Sequence, residues 1–178
     1  THDNLLFFTK KGRVFQLKAY EIPMASRTSR GKSIFNFLEL PQNEEIAAIL
    51  TYNGKPTDLK NSHLVMLTKN GVIKKTSLDE FSAVRRSGLI AIKLKGNDEL
   101  LWAKSVDDKD EIIILTANGQ ALRFKESELR AMGRNASGVT GIRLKKGDEV
   151  RGFDILKSGD EKTATLLVVM ANGFGKRT

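Results

Sequence analysis

The sequence contains no cysteine, which excludes disulfides and thiolate metal sites and fits a reducing compartment. Histidine is almost as scarce. His2 and His63 stand far apart among polar neighbours, which argues against a metal centre or a His-based catalytic triad. No apolar run approaches the length of about 18 residues that a membrane span needs, and no signal-peptide pattern opens the chain. A soluble protein that does not span a membrane is therefore expected. Long amphipathic patterns are also missing: "SLDEFSAV" and "ESELRAM" are the best helix candidates, at about two turns each. Aromatics are limited to nine Phe, two Tyr and one Trp, mostly in core-like positions, so there is no stacking platform for single-stranded nucleic acid.

What is present is positive charge and short strands. Thirty Lys and Arg against 21 Asp and Glu give a net charge of +9 and a sequence pI near 9.8, favouring a polyanionic partner such as DNA, RNA or an acidic membrane surface. "HLVMLT", "EIIILT" and "TLLVVM" are apolar runs followed closely by Asn-Gly. Asn and Gly both tolerate positive φ, which predicts two-residue hairpin turns.

These turns reveal a repeat. "LFFTKKGRVFQLKAYEIP", "VMLTKNGVIKKTSLDEFS", "IILTANGQALRFKESELR" and "LVVMANGFGKRT" align on Gly12, Gly71, Gly119 and Gly173. A second glycine follows at Gly31, Gly88 and Gly138, then an acidic turn in "NEEIAAI", "NDELLWA" and "GDEVRGF". Four strands in about 50 residues is the mark of propeller-like blades. The expectation is all-β: four-stranded blades in a partial disc, with repeats near 4–50, 64–106 and 111–156, an incomplete one at 164–178, and a surface insertion at 51–63.

Alternation then locates the charge. Three and five residues beyond the turn glycine stand Phe15 and Leu17, Lys74 and Thr76, and Leu122 and Phe124, so this face is expected inward. The opposite face would carry Gln16, Lys75, Arg123 and Arg177, then Lys18, Ser77 and Lys125. After the second glycine, Phe35 and Phe37, Ile92 and Leu94, and Ile142 and Leu144 read inward, with Asn36, Lys93 and Arg143 between them. Loops before that glycine add Arg27 and Arg30, Arg85 and Arg86, and Arg134; Lys32 and Lys176 sit beside these sets. At equal heights on a disc, such residues form one band suited to phosphate contact rather than base readout.

"ASRTSRGKS" ends like a nucleotide P-loop, but Ser26 occupies the position of its first glycine. "IFNFLEL", which follows, reads as a strand where a P-loop requires a helix. The stretch is instead the pre-glycine loop of the first repeat.

"GRVFQLKAYEIPMASRTSRGKSIFNFLEL", "NGVIKKTSLDEFSAVRRSGLIAIKL" and above all "RFKESELRAMGRNASGVTGIRLKKGDEV" closely resemble the C-terminal domain of DNA gyrase A. The resemblance runs through essentially the whole chain. It implies a β-pinwheel whose blades exchange strands, and duplex DNA bent around a basic rim in support of ATP-dependent negative supercoiling. It also implies partners in the rest of gyrase A and in gyrase B, and a location in the bacterial cytoplasm at the nucleoid. The family's basic glycine-rich heptapeptide does not occur here and is expected upstream. Tyr20 and Tyr52 follow Ala and Thr, not the arginine that precedes the family's strand-cleaving tyrosine. No catalytic residue and no cofactor is therefore expected in this segment, with ATP and Mg²⁺ on other domains of the holoenzyme. Two alternatives stay open: the homologous domain of topoisomerase IV, and a propeller-type scaffold for an acidic protein.

Overall fold

A computed structural model describes residues 2–53, 62–160 and 162–177. Its strands are β1 (Asn4–Thr9), β2 (Arg13–Lys18), β3 (Ile46–Tyr52), β4 (His63–Thr68), β5 (Val72–Ser77) and β6 (Leu89–Ile90). They continue with β7 (Leu100–Val106), β8 (Glu111–Thr116), β9 (Ala121–Lys125), β10 (Val139–Thr140), β11 (Val150–Leu156), β12 (Leu167–Val169) and β13 (Gly175–Arg177). The architecture is all-β. Both segments read as two-turn helices reduce to single 3₁₀ turns, Leu78–Phe81 and Glu126–Glu128. "IFNFLEL", expected as a strand, instead opens with a 3₁₀ turn at Ile34–Asn36.

Each hairpin is antiparallel, with Phe7 opposite Phe15, Met66 opposite Lys74 and Ile113 opposite Arg123. The turns differ from the two-residue type. Only the glycine is left-handed, at φ +77 (Gly12), +80 (Gly71) and +81 (Gly119), while Asn70 and Asn118 keep negative φ. The glycine N–H closes the turn onto Thr9, Thr68 and Thr116 at 2.9, 3.1 and 3.1 Å. The same buried threonines accept the next N–H through Oγ1, from Arg13, Val72 and Gln120 at 3.2, 3.0 and 3.2 Å. A longer loop with one αL glycine satisfies the backbone because the threonine hydroxyl takes the extra donor. The acidic turns hold the tips: Asp98 and Asp148 accept from the N–H of Asn70 and Asn118, both at 3.0 Å.

The sheet orders are β3-β1-β2-β6, β10-β5-β4-β7 and β11-β8-β9, with β12-β13 as a separate hairpin. β6 belongs to the second repeat yet completes the first blade, and β10 of the third repeat completes the second. Blades therefore exchange their edge strands. The segment 51–63 lies outside the described residues at 54–61; its flanks, Thr51, Tyr52 and His63, belong to β3 and β4.

The exchange is locked at the turn glycines. The Gly12 carbonyl accepts from the N–H of Ala91 and Ile92 at 2.9 and 3.1 Å, and that of Gly71 from Gly141 and Ile142 at 2.8 and 3.3 Å. A Cβ on Gly12 or Gly71 would stand 2.5 or 2.8 Å from the carbonyl oxygen of Ile92 or Ile142. Behind these contacts, Leu6, Phe8 and Val14 bury against Leu64, Met66, Phe81, Ile92 and Leu100 between the first two blades. Between the second and third, Val65, Leu67 and Ile73 bury against Ile112, Ile114, Leu129, Ile142 and Phe153. A third cluster covers the other face of the first blade: Phe7, Phe15 and Leu17 under Leu38 and Leu40. Phe37 packs on it, but Phe35, expected inward, is exposed, because the first repeat's segment does not cross to another blade.

Gly71 and Gly119 share the same left-handed backbone, but only Gly71 has a neighbour where a side chain would go. We expect Gly119→Ala to cost about 1–2 kcal/mol for the left-handed backbone alone. Gly71→Ala should cost clearly more, in urea unfolding followed by tryptophan fluorescence. Equal losses would show that the contact with Ile142 is not a constraint.

Candidate nucleic-acid interface

The outer edge of the disc follows from the sheet orders. β3 lies against β7, and β7 against β11, so these edges crowd together on the axial side. Lys104 of β7 bonds Asp154 of β11 at 2.7 Å across that junction. The opposite edges, β6, β10 and β9, therefore form the rim. Two of these three rim strands come from the repeat after the one they complete.

Arg85 and Arg86 precede β6, Lys93 follows it, and all three are exposed beside the first blade. Arg134 precedes β10 and Arg143 follows it at the matching places on the second blade. Arg143 is exposed, whereas Arg134 is partly buried and bonds Glu80 at 3.2 Å. Arg86 lies 3.8 Å from Glu21. Arg27, Arg30 and Lys32 lie on an exposed loop, Lys125 ends β9, and Lys176 and Arg177 lie on β13, all exposed. Lys18 is half-buried at the end of β2. Among the described residues no carboxylate pairs with Arg85, Lys93, Arg143, Lys125, Arg27, Arg30, Lys32, Lys176 or Arg177. Where an exposed ion pair does exist, it contributes only about 0–1 kcal/mol, so a phosphate can replace its carboxylate.

Lys75 is a correction. Expected at the surface, it is buried, with Nζ 2.5 Å from the Glu126 carboxylate. Alternation misled here because the blade is packed on both faces. Val14, two residues before Gln16, buries against the second blade, and Ile73, two before Lys75, against the third. The face expected to meet solvent therefore meets the next blade. Gln16 is likewise half-buried and donates to Asn4 at 2.6 Å. Arg123 sits on the equivalent face of β9, half-exposed and bonded to Glu111. Lys74, on the face expected inward, is fully buried and donates to the carbonyls of Ala91, at 2.7 Å, and Arg134. Burial above all, with a smaller push from Arg134, lowers its pKa to about 8 against the pull of Glu80.

The structure also adds exposed cations at Lys95 and Lys145, two residues beyond Lys93 and Arg143, with half-buried Leu94 and Leu144 between. The period-two pattern that marks Lys93 and Arg143 continues one step further along the chain to reach them. Aromatics are less internal than expected: Tyr20, Phe35 and Phe174 are exposed.

Four-stranded antiparallel sheets, fanned about an axis with exchanged outer strands, define the β-pinwheel class of propeller-like domains. The chain belongs to the family of the DNA gyrase A C-terminal domain. The family model described as "DNA gyrase C-terminal domain, beta-propeller" matches residues 3–53, 62–107 and 110–157. DNA gyrase A of Staphylococcus epidermidis is 44% identical over the whole chain, and that of Staphylococcus aureus also 44%. The chain spans 20% of the length of either relative. Among solved structures, a DNA topoisomerase IV C-terminal domain is similar at TM-score 0.86 and 33% identity, over 99% of this chain and 53% of that one. A DNA gyrase A C-terminal domain is similar at TM-score 0.76 and 30% identity, over 99% and 54%.

Two outcomes are expected from the buried lysines. Lys75→Ala strands Glu126 as an unpaired buried charge and should cost about 3–5 kcal/mol in urea unfolding. Lys75→Met with Glu126→Leu should recover most of it, and a Lys75→Ala cost under ~1 kcal/mol would contradict the burial. For Lys74, the folded pKa of about 8 lies below its ordinary 10.5, so between these values the unfolded chain holds more protons. Stability referenced to Lys74→Met should therefore rise from pH 8 to 10.5. A flat or falling difference would contradict the desolvated ammonium.

Proposed function

We propose that this domain binds double-stranded DNA along its rim, without regard to sequence, and bends it. The observation that carries the reading is recurrence. Unpaired cations occupy matching places beside β6 and β10, so a duplex running along the rim meets phosphate partners at each blade. Bending 20–30 bp by 40–90° costs on the order of 1–6 kcal/mol, which no single exposed cation offsets. The contacts act as a set: Arg85, Arg86, Lys93, Lys95, Arg134, Arg143 and Lys145, extended by Lys125, Arg123, Lys18, the Arg27–Arg30–Lys32 loop, and Lys176 and Arg177. Lys75 is excluded by its burial.

Within the larger protein, the domain would serve gyrase A by wrapping DNA for ATP-dependent negative supercoiling in the bacterial cytoplasm. The rest of gyrase A, together with gyrase B, would supply strand cleavage, ATP and Mg²⁺, and this segment no catalytic chemistry and no catalytic cofactor. The 44% identity to gyrase A chains along the whole sequence supports that assignment. The second reading, the corresponding domain of a topoisomerase IV, draws on the TM-score of 0.86 to a structure of that name.

The test is duplex binding and bending, by anisotropy and by end-to-end energy transfer on a short fragment. With about 6 to 10 phosphates neutralised, affinity should fall about 10³- to 10⁵-fold between 50 and 200 mM salt. Arg85→Glu with Arg86→Glu and Lys93→Glu should abolish bending while leaving the thermal melt unchanged. A folded triple variant that still bends DNA like the parent, a flat salt response, or competition by an acidic protein at the same face would reject the reading.

A further inference from the structure

His63 opens β4, Asp108 lies in the turn from β7 to β8, and Glu126 begins the 3₁₀ turn after β9. Far apart in sequence, they converge at the seam between the second and third blades. Each offers one ligand atom, and these atoms lie within 4.8 Å of one another. Three further features point to a ligand there. The Nδ1 of His63 is buried and has no hydrogen-bond partner, an expense that native structures rarely carry. No hydrogen bond or ion pair joins the imidazole to either carboxylate among the described residues, so the space between them is not closed by direct contact. Glu126 is anchored, its Oε1 held 2.5 Å from Lys75 Nζ, and its second oxygen has no hydrogen-bond partner among the described residues.

We propose that His63, Asp108 and Glu126 form a divalent-cation site best matched to Zn²⁺, stapling the second blade to the third. One imidazole nitrogen and two carboxylate oxygens are a borderline donor set that suits zinc over the purely oxygen-ligated Mg²⁺ and Ca²⁺. Zinc bonds of about 2.0–2.2 Å at tetrahedral angles set ligand atoms about 3.3–3.6 Å apart, so a set spread up to 4.8 Å must close by about 1 Å to hold the ion. Asp108 is exposed, on a turn, and its side chain makes no hydrogen bond among the described residues, which lets it swing inward. The fourth position remains for water. Lys75 acts as the outer partner that orients Glu126, a usual arrangement around metal ligands.

The test uses the untagged 178-residue chain, stripped of metal by chelator and titrated with ZnCl₂ by calorimetry, with Co²⁺ as the spectroscopic probe. One Zn²⁺ per chain is expected, with visible Co²⁺ absorption of four-coordinate type and a melting temperature that rises with Zn²⁺. Asp108→Asn removes a ligand without touching packing, and should leave the metal-free melting temperature unchanged. That variant and His63→Gln should each weaken Zn²⁺ binding about tenfold or more and abolish the Zn²⁺-dependent rise. No saturable binding would overturn the site. So would stoichiometric binding that both variants leave intact, since the ion would then lie elsewhere.

Discussion

Everything in this disc hangs on the grip between a hairpin-turn carbonyl and the backbone of the following repeat. The Gly12 and Gly71 oxygens each accept two N–H groups from the segment that crosses over, and the missing Cβ lets that segment approach. The crossing places Ala91 and Ile92 in one seam and Ile142 in the next. Full burial of a side chain such as Ile contributes about 1.5–3 kcal/mol, so the grip and the seam reinforce each other. Because the edge strand of one blade is covalently part of the next repeat, two blades cannot separate without breaking a sheet. A stack of independent four-stranded sheets would have only side-chain packing to hold it.

The same exchange decides where charge is displayed. Arg85, Arg86 and Lys93 are residues of the second repeat presented on the first blade, and Arg143 and Lys145 are residues of the third presented on the second. The rim strands β6 and β10 are two residues long and flanked by cations, an arrangement that also discourages edge-to-edge pairing with another chain. One set of side chains thus protects the edge and offers itself to phosphate. Lysines moved a few ångströms inward behave differently: Lys75 requires Glu126, and Lys74 is satisfied by two carbonyls and holds its proton less tightly. Cations adjacent in the chain are therefore divided between surface and seam by the neighbouring blade.

The sequence determined the all-β class, the blade repeat, the turn glycines and most of the exposed cations, because each leaves a local signature. Period two marks strands, glycine marks left-handed turns, and recurrence marks equivalent positions. Gly71 could be read from its turn; its contact with Ile142, in the next repeat, could not. Lys75 and Arg123 hold the same register position, yet one is buried and the other half-exposed, since only the third blade covers Lys75. His63, Asp108 and Glu126 carry no spacing that would link them, and meet only because two blades close on one seam. What tertiary structure alone decided is thus which face of each strand another blade occupies. Burial, hydrogen bonding and charge state are set by that neighbour across space, and alternation along a strand does not record it.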